Sequence, residues 1–213
     1  MNEKVKKMTA TAMLCAIAYL VTIIRIPVVL FLEYGPADII IALGGFIFGP
    51  LTAFTISVVT AFIEMITISD TGWIGFLMNV ISTCSFVCIA AFIYKKLHSM
   101  KGAIIGLVTG VISMTCIMLL WNYLITPIYM GYDRAMVAEM LVPYFLPYNL
   151  LKGGINASIT ILVYKPIVMG LRKARLIPNS KVEKNKSNIG IMLVAAAVLA
   201  TCIVVILAMN GII

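Results

Sequence analysis

The few charged residues of this chain sit on alternate joints between long apolar runs. Of sixteen Lys and Arg, thirteen fall at one set of joints: Lys4, Lys6, Lys7, then Lys95, Lys96, Lys101, then Lys165, Arg172, Lys173, Arg175, Lys181, Lys184 and Lys186. Six of the eight acids, Glu33, Asp38, Glu64, Asp70, Asp133 and Glu139, fall at or near the other set. Basic loops are retained in the cytoplasm, so this partition fixes an alternating topology with a cytoplasmic N-terminus. With 62% hydrophobic and 11% charged residues, the composition is that of an integral membrane protein. The net charge of +8 is concentrated in loops beside the spans, which points to topology and anionic lipid, not to nucleic acid.

The pattern predicts an all-α membrane protein with a six-helix core and a seventh, C-terminal span. Residues 1–8 form a cytoplasmic N-terminus, 9–171 the membrane domain, 172–188 a basic cytoplasmic linker and 189–213 the extra helix. Within the core, span 1 covers about Thr9–Ile26, and span 2 runs from near Asp38 to the Gly49-Pro50 break, where proline cannot continue a helix. Span 3 covers Leu51–Ile68, span 4 Trp73–Tyr94 and span 5 Gly102–Leu124. An outer segment from Ile125 to Pro143 leads into span 6, Tyr144–Leu171. Gly102, Gly106 and Gly110 recur every four residues, a spacing that lets another helix approach closely. The near-uniform Ile189–Ile213 reads as a lipid-facing anchor.

Several function classes lack support in the sequence. It has no G-x-x-x-x-G-K-[ST] loop, no H-E-x-x-H, no G-x-S-x-G and one histidine, His98, in a basic loop. Five cysteines lie in apolar stretches without the partners of a metal site, and no cofactor is expected. What remains is a set of polar groups inside or beside apolar helices. Asn149, Lys152 and Asn156 fall within about 60° on one helical face. Asn79 lies within span 4 and Asn122 near the outer end of span 5. An amide facing lipid is costly, so each should point inward, either to another helix or to a ligand. The planar Asn amide offers donors and an acceptor that match the edge of a neutral heterocycle, and aromatics such as Tyr34 and Tyr123 could enclose one. Asp38 is either part of this site or the N-cap of span 2. In span 1, Ala12 and Ala16 make a small-residue strip suited to docking another helix.

These residues bring a resemblance with them. The stretches Phe31–Asp38, Gly44–Pro50, Thr71–Gly75 with Asn79, Asn122-Tyr123 before Pro127–Tyr129, and Leu146–Gly153 occur in an order similar to that of the substrate-binding S components of energy-coupling factor (ECF) vitamin transporters. The riboflavin-type members are the most similar. The resemblance implies a six-helix fold with a vitamin site near the outer face. Its implied partners are a transmembrane coupling protein, reached through Ala12 and Ala16, and two cytoplasmic ATPases. It implies ligand contacts at Asn122, Asn149 and Lys152, and release by reorientation of the whole subunit in the bilayer. The chain departs from the riboflavin-type pattern at Glu33, at Gly35 and in Thr60–Glu64, so another vitamin or small heterocycle is the alternative ligand. A separate alternative is an ion-coupled secondary transporter with Glu64 as proton carrier.

Overall fold

The first helix, α1 (Glu3–Thr22), begins where Asn2 accepts a hydrogen bond from the Lys4 N–H, which satisfies one orphan donor of the first turn. The computed structural model describes residues 2–173 and 189–210. After α1 the chain forms a small antiparallel hairpin, β1 (Ile26–Val29) and β2 (Leu32–Tyr34), which the sequence reading did not anticipate. Ile26 pairs with Tyr34 and Pro27 with Glu33, and a bulge follows before Val29 meets Leu32. A turn with Leu30 in the left-handed region joins the strands. The hairpin turns Val28 and Tyr34 inward, both nearly inaccessible, while Ile26 and Leu30 stay exposed. The fold is therefore all-α across the membrane, with one β ribbon at an end of the bundle.

Two helices then form a tight pair. α2 (Ala37–Phe48) stops at Gly49, whose φ of 97° suits glycine, and α3 (Pro50–Thr67) starts with proline at its first position. With 12 residues, α2 is about 18 Å long, short of the roughly 30 Å hydrocarbon layer. It is also among the most enclosed elements, with Ile39 and Ile41 through Phe46 all buried. Shortness costs little because protein, not lipid, surrounds its ends.

The next crossing is α4 (Gly72–Thr83), a π-helical segment (Cys84–Cys88) and α5 (Ile89–Leu97). Ser85 Oγ donates within this stretch to the carbonyls of Ile81 and Ser82, where the helix register changes. α6 (Met100–Met130) packs against it through the glycine strip. A Cβ on Gly106 would come within 2.7 Å of the Ala90 carbonyl oxygen, and one on Gly110 would strike that of Phe86. The expected glycine contact is thus a backbone-to-backbone approach. α6 runs six residues beyond the predicted end of span 5, through Pro127 to a Gly131 cap with φ 69°. The outer segment expected from Ile125 therefore begins as helix. A proline in the last turn removes a single backbone bond.

α7 (Arg134–Met140) and a second π-helical segment (Leu141–Phe145) lead into α8 (Leu146–Lys173). The basic linker expected at 172–188 lies outside the described residues from position 174 onward. α9 (Ile189–Met209) packs on α8, where Gly154 makes room for the Cys202 thiol. Most of α9 is exposed, as an anchor would be. It does more than anchor, however. Val28, Tyr34, Leu151, Ile155 and Cys202 form one buried cluster, and Asn210 Nδ2 donates to the Val28 carbonyl at 3.1 Å. The end of α9 is thereby fastened to the hairpin. Six described helical segments are long and apolar enough to cross a membrane, and the short α2 joins them in the core.

Because successive helices alternate in direction, the start of α1, the end of α5, the start of α6 and the end of α8 lie together. Lys4, Lys6, Lys7, Lys95, Lys96, Lys101 and Lys173 mark this basic end. The hairpin and the start of α2 lie at the other. The glycine contact allows a direct check. Gly110→Leu is expected to cost at least the upper part of the roughly 1–3 kcal/mol typical of overpacking, because its neighbour is backbone and cannot rotate away. Thermal unfolding of the purified protein in detergent reads this out, and an unchanged midpoint would refute the packing.

Candidate functional site

The end opposite the basic joints holds a cavity of about 350 Å³. Its walls come from the end of α1, the hairpin, and the cavity-facing ends of α2, α3, α4, α6 and α8. The volume lies within the range of small-molecule sites. Ile41, Ala61, Met78 and Met118 supply apolar wall, and Phe31, Tyr129 and Tyr148 supply aromatic surface.

One wall is organised by the Asp38 carboxylate. Its side chain is 5% exposed. Oδ1 accepts from Thr83 Oγ1 of α4 at 2.6 Å, and Oδ2 accepts from Asn156 Nδ2 of α8 at 3.2 Å. The Lys152 ammonium lies 3.5 Å from Oδ2 and donates to Ser82 Oγ at 3.4 Å. Asp38 does not cap α2: Pro36 holds the N-cap position, and no side chain bonds there. Of the two roles expected for Asp38, the cap is thus excluded. The carboxylate instead ties α2 to α4 and α8.

The opposite wall carries a second charged group. Arg25, just beyond α1, donates to Glu64 Oε1 at 3.3 Å and to the Ile68 carbonyl at 3.4 Å, and lies 3.7 Å from Glu33. Asn79 Nδ2 donates to the other Glu64 oxygen at 2.9 Å. The hairpin is therefore pinned to α3 through Arg25. It is pinned to α8 through Tyr148, whose hydroxyl donates to the Glu33 carbonyl at 2.6 Å.

Between these walls, polar groups keep hydrogen-bonding capacity. Asn122 and Asn149 are buried, and each uses one N–H on the carbonyl four residues back in its own helix, Met118 and Phe145 respectively. Asn122 Oδ1 also accepts from Thr126. Each amide retains one N–H and acceptor capacity toward the cavity they line. Thr60 Oγ1, also in the wall, is buried with no hydrogen-bond partner among the described residues. A buried hydroxyl of that kind calls for a partner from inside the cavity.

Asp38, Asn79, Asn122, Asn149 and Lys152 of the expected set thus line one cavity. Tyr34 does not line it. Its hydroxyl donates to Asn156 Oδ1 at 2.8 Å, so it braces the amide that braces Asp38. Burial, with Asp38 and Tyr148 nearby, raises the Tyr34 phenol far above the usual tyrosine range and keeps it a neutral donor. Tyr123 is corrected outright. It is 36% exposed, with the Arg134 guanidinium 5.6 Å from its ring, and it lies outside the cavity. Adjacent residues on a helix point about 100° apart, so placing Asn122 inward turns Tyr123 out. Ala12 and Ala16 are exposed along α1, beside buried Leu14, Cys15 and Ala18.

The sequence profile of the ECF transporter substrate-specific components matches residues 6–164. The chain belongs to this family. It is 27% identical to the riboflavin transporter FmnP of Bacillus subtilis (strain 168), over 81% of this chain and 99% of that one. It is 28% identical to the riboflavin transporter RibU of Staphylococcus aureus (strain TCH60), over 79% and 93%. A solved S component of a bacterial ECF transporter superposes with a TM-score of 0.68 at 27% identity, covering 79% of this chain and 99% of its own. The protein is therefore a multi-pass membrane S component that associates with ECF transporter components. α9 lies beyond the stretch that the family profile matches.

Sequence reasoning overlooked Arg25, Ser82, Thr83 and Thr60 as parts of this S component's cavity. Arg25 falls within the last residues of span 1 as bounded from sequence, where its partner on α3 cannot be seen, and hydroxyl residues in membrane helices are too common to single out. The Asp38 network yields a test by double substitution. Asp38→Ala leaves the buried Lys152 ammonium unpaired and is expected to cost about 3–5 kcal/mol, read as a lowered thermal midpoint in detergent. Adding Lys152→Met should restore the part of that loss due to the unpaired ammonium, while the Thr83 hydroxyl and the Asn156 amide still lack their acceptor. A double variant no more stable than Asp38→Ala would remove the ion pair as the cause.

Proposed function

We propose that this S component is the membrane-embedded riboflavin-binding subunit of an ATP-driven ECF uptake transporter, with ATP hydrolysed by partner subunits. One observation carries the reading: buried amides on α6 and α8 face a single cavity with apolar and aromatic walls. That chemistry suits a flat, uncharged heterocycle whose edge alternates donors and acceptors. Asn122 and Asn149 meet the ring edge, Met78 and Met118 flank its faces, and Thr60, Ser82 and Lys152 serve the hydroxyls of a polyol chain. Asp38 and Tyr34 hold the Asn156 and Lys152 side chains in place behind that surface. Two relatives named as riboflavin transporters support the choice of vitamin.

The basic end and the N-terminus face the cytoplasm, and the cavity faces outward. The hairpin and the α6–α8 connection cover its mouth. The partners are a transmembrane coupling protein and two cytoplasmic ATPases, and the exposed Ala12–Ala16 strip of α1 is the docking surface for the coupling protein. Reorientation of the whole subunit then presents the ligand to the cytoplasm. Glu64, the proton carrier of the ion-coupled alternative, here holds Arg25 and Asn79, a structural duty that accounts for an acid at this depth.

Purification from cells grown on rich medium tests the ligand directly. Flavin absorbance is expected in the preparation, and Asn149→Ala should weaken riboflavin binding by about tenfold or more, the worth of one buried hydrogen bond. A different co-purifying vitamin would reassign the cargo. For the docking strip, Ala12→Trp is expected to leave riboflavin binding by the isolated subunit intact and to abolish ATP-dependent uptake in proteoliposomes containing the full complex. Normal uptake would exclude this face as the contact.

A further inference from the structure

α9 buries one stripe of side chains and leaves most of the others exposed. Ala195, Leu199, Cys202, Ile206 and Met209 recur every three or four positions, which puts them on a single helical face. Ala195 and Cys202 are buried. Leu199, Ile206 and Met209 pack against the cluster that holds Val28 and Tyr34 of the hairpin and Leu151 and Ile155 of α8. The stripe thus backs the hairpin as well as α8. A polar residue ends it. Asn210 Nδ2 donates to the Ile206 carbonyl at 2.9 Å and to the Val28 carbonyl at 3.1 Å. The register between β1 and β2 steps from Pro27 to Val29 and passes over Val28, so the bulge leaves this residue outside the strand pairing. Asn210 brings it a donor from another element. With its side chain 1% exposed, Val28 is held at both its carbonyl and its side chain. The other ties of the hairpin region run to groups in or behind the cavity wall, from Arg25 to Glu64, Tyr148 to Glu33 and Tyr34 to Asn156. The tie to α9 involves no residue that lines the cavity.

We propose that α9 is a clasp on the hairpin, with Asn210 as the positioning residue that slows its opening and so sets how fast cargo enters and leaves. The inference rests on the reading that the hairpin covers the mouth of a ligand site. Phe31, Leu32 and Glu33 border the cavity, so passage at this edge requires the hairpin to swing away. That motion breaks the bond from Asn210 to Val28 and uncovers the apolar surface of Val28 and Tyr34. Neither Asn210 nor Val28 touches the cavity, so the clasp favours the closed hairpin equally with and without cargo. Entry and exit are slowed by the same factor, and affinity is left unchanged. One hydrogen bond of this kind corresponds to about fivefold in the opening equilibrium.

The test uses the full chain in lipid nanodiscs, unaltered and with Asn210→Leu, which keeps the bulk of the side chain and removes its donor. Amide hydrogen exchange followed by mass spectrometry reads the hairpin without any ligand. Peptides covering residues 26–34 are expected to exchange about fivefold faster in the variant, with exchange within α6 unchanged. Stopped-flow quenching of flavin fluorescence then gives the riboflavin rates. Association and dissociation should each rise by about fivefold while Kd stays within about twofold. Unchanged hairpin exchange overturns the inference, and so does acceleration spread equally through α6, which is general destabilisation. A raised Kd with an unchanged association rate also overturns it, because Asn210 would then shape the site and not its cover. Faster hairpin exchange in a protein that binds no riboflavin supports the clasp and overturns the cargo assignment.

Discussion

The arrangement depends on one buried carboxylate. Asp38 sits at the start of a helix too short to cross the membrane, and its two oxygens receive Thr83 from α4, and Asn156 and the Lys152 ammonium from α8. In a low-dielectric interior, each of these groups would be expensive alone. Together they fix how α2, α4 and α8 meet, and so where the cavity walls stand. Tyr34 extends the network to the hairpin, joining the cover of the site to its floor through Asn156. A change at Asp38 therefore reaches the cover as well as the wall.

The helical frame was legible in the sequence because its signals are local. The Gly49-Pro50 break, the alternating charge of the joints and the four-residue glycine spacing each have a direct structural counterpart. The hairpin was not legible. Residues 26–34 contain a proline and an apolar run that read equally well as the frayed end of a span, and pairing between β1 and β2 is tertiary information. Pro127 misled in the other direction, since a proline near the end of a long apolar helix need not end it.

Site residues divide by the same rule. Asn122, Asn149 and Lys152 could be singled out because polar groups within apolar helices must face inward. Asp38 had two good explanations in sequence, and only the position of Pro36 and the contacts to other helices separate them. Tyr123 follows the inward-facing Asn122, and because consecutive helical positions face different ways its ring meets Arg134 instead of the cavity. Arg25 and Glu64, on different segments and 39 positions apart, show their pairing only in three dimensions.

The brevity of α2 has a further consequence for transport. A helix of about 18 Å rising from the basic surface leaves roughly 12 Å of a 30 Å hydrocarbon layer to be filled by the hairpin and the cavity. In the outward-facing orientation proposed above, cargo held above its first turn lies below the headgroups, part-way through the membrane's electric field. A charged passenger at that depth would have its occupancy biased by the transmembrane voltage, at about 2.3 kcal/mol per charge for a full 100 mV drop. A passenger without charge is loaded and unloaded independently of the cell's electrical state.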